Sequence, residues 1–392
     1  MEKQTEETKK LRKETTMSMS YTRTAFPNLP TEMKDKILLS LPVKTLFRFR
    51  CVIRDYLRFH NPNFIKMHLN RQFEMENTST TTVIVATAYN IYKVDIHSPR
   101  KPPIRLDVPF QKPTTTRQMK LVGSCNGLLC LTFKYCHTYT VYLLNPTTRK
   151  FKQLPPHNDT IARKLCSSPF LGFGYDHISG KFKVLAERRT GLNKYEAIVY
   201  TMGTSTTWRS IGEVQYPLRD EKSQVFGGCP HWILTYLKSD LNPVIVSFNV
   251  GNEKFKEIPL PPIDYSARSV RLTALGGRLS MFYGGFEQER YELWVKMDDG
   301  LENTTTWTKQ LSINFSDING YNRLINPWGF KNGKVLLGCD GTLDLFNPVN
   351  GKVRALNLLG KAKYFEVYSY IEALGMLTMK TKSLCTGALK ME

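Results

Sequence analysis

The chain changes its hydrophobic rhythm once, near residue 80. Before that point apolar residues recur every three to four positions; beyond it they come in short alternating or continuous runs broken by Gly, Pro, Asn and Thr. The first rhythm predicts helices and the second predicts strands. Over residues 31–41, Met33, Ile37, Leu38 and Leu41 form one stripe, with Glu32, Lys34, Asp35 and Lys36 mostly opposite. Glu32 and Asp35 fall in the first turn, where the helix dipole favours negative charge. Pro42 stops this helix and suits the first position of a second, in which Val43, Leu46, Phe47 and Phe49 oppose Lys44, Arg48 and Arg50. Asn61-Pro62 reads as the N-cap and first-turn proline of a last short helix bearing Phe64 and Leu69. A bundle of roughly 40 residues sits at the edge of independent stability. Docking helix into groove on another protein would complete its core.

The β-rich part repeats. A Gly-containing turn followed by a buried-type strand occurs at Asn126-Gly127, Ser179-Gly180, Gly227-Gly228, Gly276-Gly277 and Asn332-Gly333, at spacings of 53, 48, 49 and 56 residues. A second element, strand, polar turn and return strand, recurs over 141–156, 197–212, 244–262, 291–311 and 342–358, with a weaker sixth copy at 91–109. Asn145-Pro146 and Asn347-Pro348 suit the first corners of type I turns, and Asn350-Gly351 supplies positions that tolerate positive φ. Phe151, Trp208, Phe255 and Trp307 open return strands, followed by Leu154, Ile211, Ile258 and Leu311. A period near 50 residues with two hairpins per unit is that of a four-stranded propeller blade. Ring closure stacks each blade on two neighbours, which explains strands apolar on both sides, as in GLLCL and KVLLG. The expected fold is a small all-α N-terminal unit plus an all-β domain, a six-bladed propeller, or seven-bladed with one copy missed; a two-sheet sandwich is the rival and predicts no regular period. Residues 363–371 are expected to form a last strand that pairs with the first blade and removes an open edge.

Composition changes this picture little. No apolar run approaches the ~20 residues of a membrane span, so no membrane partner is expected. The first 25 residues lack the apolar core of a secretory signal and read as a charged, Thr-rich disordered tail. KKLRK at residues 9–13 reads as a solvated charge cluster before it reads as a nuclear signal. Eight scattered cysteines favour reduced thiols, hence cytoplasm or nucleus. Cys125, Cys130, Cys136 and His137 lack zinc spacing, and Cys125 and Cys130 read as small buried hydrophobes. The net charge of +21 divides into +7 over residues 1–75 and +14 over 76–392. Without a basic stripe interleaved with aromatics, this diffuse excess argues for acidic protein partners over nucleic acid.

Candidate chemistry is sparse. There is no G-x-S-x-G, H-E-x-x-H or Walker pattern. Gly172 and Gly174 read as a packing pair, and His231-Trp232, which could line an axial channel, as a strand pair. Asp298-Asp299 belong to an exposed hairpin loop. An enzyme with a site along the ring axis is the alternative, and it predicts turnover by residues 76–392.

Two resemblances then give the pattern a meaning. Leu29-Pro30, Ile37-Leu38, Leu41-Pro42-Val43-Lys44, Leu46 and Arg48-Phe49-Arg50-Cys51-Val52 resemble the F-box, the module that docks on the Skp-type adaptor of cullin-RING ubiquitin ligases. The family's usual Trp is replaced by Tyr56, and residues 57–61 look one residue short. SCNGLLCL, LNPTTRKFKQLP, GFGYDHISGKFKV, TTWRSI and FNVGNEKFKEIPLP resemble the plant F-box-associated interaction domain, and residues 275–295 resemble a kelch blade. The implied organisation is a tail (1–25), an F-box (26–70), a linker (71–80), an F-box-associated propeller (81–376) and a C-terminal tail (377–392). The implied protein is a non-catalytic substrate receptor of an SCF-type ligase, needing no cofactor or metal. Its partners would be the adaptor, through it the cullin and RING subunits, and an unknown target on the propeller. The adaptor anchors implied are Leu29, Pro30, Ile37, Leu38, Leu41, Pro42, Val43, Leu46 and Phe49.

Overall fold

The computed structural model describes residues 29–49, 59, 61–76 and most of 82–374. Within the last span it leaves out 88, 97–100, 109–116, 136–137, 157–170, 192–193, 215–222, 235–242, 264, 266–269, 276–277, 286–288, 298–305, 318–325, 332, 340–341 and 357–364. The expected tails, KKLRK, Tyr56, Asp298-Asp299 and Gly276-Gly277 therefore lie outside the described residues. The chain divides into two compact units, Met1–Arg71 and Gln72–Glu392.

The first unit is helical. Helix α1 (Thr31–Ser40) starts at Pro30, whose carbonyl accepts from the Met33 and Lys34 amides at 3.1 and 3.0 Å. It stops where Pro42 follows Leu41, and helix α2 (Val43–Phe49) begins one residue later than expected. Pro42 acts as its cap, its carbonyl accepting from the Thr45 and Leu46 amides at 2.9 and 3.1 Å. Helix α3 (Pro62–Glu76) is capped as predicted, with Asn61 Oδ1 accepting from the Asn63 amide at 2.8 Å. It is not short. It runs fifteen residues, six of them in the expected linker, because nothing from Asn70 to Glu76 breaks a helix.

The second unit is a six-bladed β-propeller. Among the described residues its strands form six four-stranded antiparallel sheets. Blade 1 contains β1 (Thr82–Thr87), β2 (Ile91–Asp95) and β3 (Ile104–Leu106), completed by the chain's last strand, β24 (Phe365–Ser369). Blade 2 runs β4 (Arg117–Cys125), β5 (Leu128–Tyr135), β6 (Thr138–Asn145) and β7 (Lys150–Gln153). Blade 3 runs β8 (Leu171–Asp176), β9 (Lys181–Gly191), β10 (Lys194–Thr201) and β11 (Arg209–Glu213). Blade 4 runs β12 (Gln224–Phe226), β13 (Cys229–Leu234), β14 (Val244–Asn249) and β15 (Lys254–Ile258). Blade 5 runs β16 (Val270–Leu275), β17 (Arg278–Gly285), β18 (Arg290–Met297) and β19 (Thr306–Asn314). Blade 6 runs β20 (Asn326–Lys331), β21 (Lys334–Cys339), β22 (Thr342–Asn347) and β23 (Lys352–Ala355). All six expected outer hairpins are present, and neither a seventh blade nor a sandwich forms.

Alternation places successive residues of one strand in different interfaces. Leu128 and Cys130 pack between blades 2 and 3, while Leu129 and Leu131 pack between blades 1 and 2. Further apolar clusters fill the remaining four blade interfaces. Cys125 and Cys130 are part of this filling, and burial pushes the Cys125 thiol up to about 12. Gly172 and Gly174 are a packing pair: a Cβ would meet Trp232 at 2.7 Å and the Gly228 carbonyl at 2.3 Å, respectively.

The ring is closed by β24, which pairs antiparallel with β1 through Ile84↔Tyr368 and Val85↔Val367. A register shift between Leu121 and Gly123 disturbs the neighbouring ladder on β4. The closing strand serves that irregularity. Glu366 accepts from the Leu121 amide at 2.9 Å, and the buried Tyr368 hydroxyl donates to the Leu121 carbonyl at 3.1 Å.

Candidate interaction surfaces

The helical unit divides its apolar residues between inside and outside. Leu38, Val43 and Leu46 are buried in the chain alone, with Phe59, Phe64 and Leu69. Leu29, Ile37, Leu41 and Phe49 are half-buried, and Pro30 and Pro42 are exposed. Met33 is 46% exposed, though no anchor role was expected for it. Positions 33, 37 and 41 succeed one another at four-residue spacing, so Pro30, Met33, Ile37 and Leu41 form a continuous apolar edge along α1. Three of the nine expected anchors thus lie on the inner side of the stripe. Leu38, Val43 and Leu46 are buried because their place on the stripe faces inward.

The corner between α1 and α2 is held by a residue that pattern reading passed over. His68 on α3 is fully buried, and its Nε2 lies 3.0 Å from the Leu41 carbonyl, while its Nδ1 has no hydrogen-bond partner among the described residues. Burial lowers the ring's pKa from the ordinary histidine value, with the nearby Arg71 charge acting the same way, so the neutral ring donates to Leu41. A lone histidine 27 positions away carries no local signal of this role.

On the propeller, consecutive antiparallel strands put the first-to-second and third-to-fourth turns of every blade on one face, the turn face. Four of these turns share one chemistry. Asn145 Oδ1 accepts from the amides of Thr147 and Thr148, Asp176 Oδ1 from Ile178 and Ser179, Asn249 Oδ1 from Gly251 and Asn252, and Asn347 Oδ1 from Val349. Each then has a left-handed residue four positions on: Arg149, Gly180, Glu253 or Gly351. The described strand ends between these turns lie on the opposite face.

Blades 3 and 4 are tied by an ion network whose Lys183–Asp176 centre is buried. Lys183 donates to the Val250 carbonyl at 2.7 Å and to Glu253 at 3.0 Å, with Asp176 Oδ2 at 3.6 Å; Arg209 pairs with the other Glu253 oxygen at 2.5 Å. Burial alone would raise both carboxyls. Hydrogen bonds from Ser179 and Ile178 to Asp176, those from Arg209 and Lys183 to Glu253, and the cationic charges outweigh it, leaving both below the ordinary carboxylate range. Two tryptophans tie outer strands across interfaces: Trp208 Nε1 donates to the Pro155 carbonyl at 2.8 Å, and Trp307 Nε1 to the Pro259 carbonyl at 2.9 Å.

The innermost strands of blades 2 and 4 touch directly. Ser223, just before β12, donates to the Val122 carbonyl of blade 2 at 2.8 Å, and Val225 packs where a Cβ on Gly123 would lie 3.1 Å away. His231 is a satisfied strand histidine, its Nδ1 2.9 Å from the Cys229 carbonyl. Burial lowers its pKa to about 4.

Residues 82–339 match the model of the F-box associated beta propeller domain. The chain belongs to this family. Blade 6 and the closing strand, which the match does not reach in full, complete the F-box associated propeller in the structure. Among similar proteins of Arabidopsis thaliana, an F-box/kelch-repeat protein is 28% identical over 341 residues, covering 83% of this chain and 89% of that one. A second F-box protein is 27% identical over 299 residues, covering 74% and 75%. F-box protein CPR1 is 23% identical over 313 residues, covering 73% of each. The helical unit thus stands where a plant F-box protein has its F-box, ahead of the F-box associated propeller.

Proposed function

We propose that this chain is the substrate-recognition subunit of an SCF-type cullin-RING ubiquitin ligase, acting in cytoplasm or nucleus. Its helical unit docks on a Skp-type adaptor through Leu29, Pro30, Met33, Ile37, Leu41, Pro42 and Phe49, while the propeller holds the target. The observation that carries this reading is the partly exposed apolar edge of α1 beside residues that are already buried, in a chain whose propeller is F-box associated. An edge of that kind gains stability when a partner groove covers it. Ubiquitin transfer would then be a proximity effect, the receptor orienting target lysines without itself making a bond.

The test is capture of the full chain by a purified Skp-type adaptor. The double variant Leu29→Ala/Pro30→Ala is expected to lose capture while the propeller keeps its thermal unfolding transition. Capture equal to the wild type would overturn the docking assignment.

A further inference from the structure

Which propeller surface meets the target can be argued from charge. Lys150, Lys181, Lys254, Arg278, Lys334 and Lys352 each open the strand that follows a turn on the turn face, on blades 2 to 6. The side-chain ammonium groups of the five lysines have no polar partner among the described residues, and the Arg278 guanidinium has only the Met297 sulfur at 3.3 Å. The described carboxylates of that face are already engaged. Asp95 pairs with Lys101, Glu372 with Lys93, and Asp176 and Glu253 with Lys183 and Arg209. Among the described residues of this face, an excess of cations over unengaged carboxylates remains.

The same face carries the two most exposed large apolar side chains among the described residues of the propeller. Ile178 is 95% exposed and Val349 is 90% exposed, each at the tip of an Asx turn that ends in one of those lysines, Lys181 or Lys352. A phosphate backbone would pair with the cations and leave such tips in water. A polypeptide bearing both carboxylates and aliphatic side chains satisfies both.

We propose that the turn face is the target-docking surface and that it takes an acidic protein segment with interspersed apolar residues. This rests on the receptor reading above and specifies its partner.

The experiment uses the full chain and, as probes, a fluorescent peptide alternating Glu with Leu and a single-stranded RNA of equal charge. The triple variant Lys254→Glu/Arg278→Glu/Lys352→Glu is expected to weaken peptide binding about tenfold or more, since attraction becomes repulsion at three sites. Val349→Ser is expected to weaken it severalfold, and Lys194→Glu, on the opposite face, to leave it unchanged. Wild-type affinity in the triple variant, equal weakening by Lys194→Glu, or tighter binding of the RNA overturns the assignment. Lys254→Arg/Lys352→Arg keeps the charge and should keep the affinity. Adaptor capture, measured on the same preparations, tests the receptor reading separately and should persist in every one of these variants.

Discussion

The helical unit and the propeller use similar apolar residues to opposite ends. Every blade has both faces covered by its neighbours, and the last strand returns to cover the first, so no blade face is left exposed. The helical unit buries Leu38, Val43 and Leu46 but keeps Pro30, Met33, Ile37 and Leu41 along an outer edge. In one region hydrophobicity is spent inside the fold; in the other a fraction of it stays at the surface. Stability and recognition should therefore separate under mutation.

The largest stability effect is expected inside the ring. Leu131→Ala, fully buried between blades 1 and 2, should cost about 2–5 kcal/mol in urea unfolding of the full chain, because the cavity cannot collapse between two sheets. Tyr368→Phe should cost about 1–3 kcal/mol, since the buried Leu121 carbonyl loses its donor. That range would mark the closing strand as a structural staple; no loss would show the shifted register on β4 to be self-sufficient.

Acid should act on the blade 3–blade 4 lock. Asp176 and Glu253 titrate below their unfolded values, so their contribution is complete above the ordinary carboxylate range and is lost as pH falls through the depressed values. Stability measured against pH should decline below pH ~4, and Lys183→Met should flatten that decline. A smaller effect of opposite sign is expected at Arg149, a left-handed non-glycine residue at φ 55°. Arg149→Gly should stabilise the ring by about 1 kcal/mol. Smallest of all for stability is Met33→Ala, within about 0.5 kcal/mol of wild type as a surface change, although it should weaken adaptor capture.

Much of the ring was legible because blade chemistry is local. An Asx residue, a left-handed position and an aromatic on the return strand repeat within a few residues of one another, and each copy announces a hairpin. The closing strand was legible for the same reason, as one more apolar run with no partner of its own. What escaped reading depends on distant neighbours. Periodicity showed that Leu38, Val43 and Leu46 lie on an apolar stripe, but which part of a stripe turns inward depends on what packs over it. His68 and the lean of β12 toward blade 2 are long-range contacts between segments with no shared pattern, 27 residues apart in the first case and on non-adjacent blades in the second. The length of α3 was missed because a polar helix end looks like a linker when no glycine or proline marks its stop.

The contrast between a self-covered ring and an unfinished helical edge is tested most directly by amide hydrogen exchange on the full chain, with and without a purified Skp-type adaptor. The account predicts strong added protection within Thr31–Ser40 and Val43–Phe49 and none in the propeller strands. Unchanged exchange in both helices, or protection confined to the blades, would contradict it.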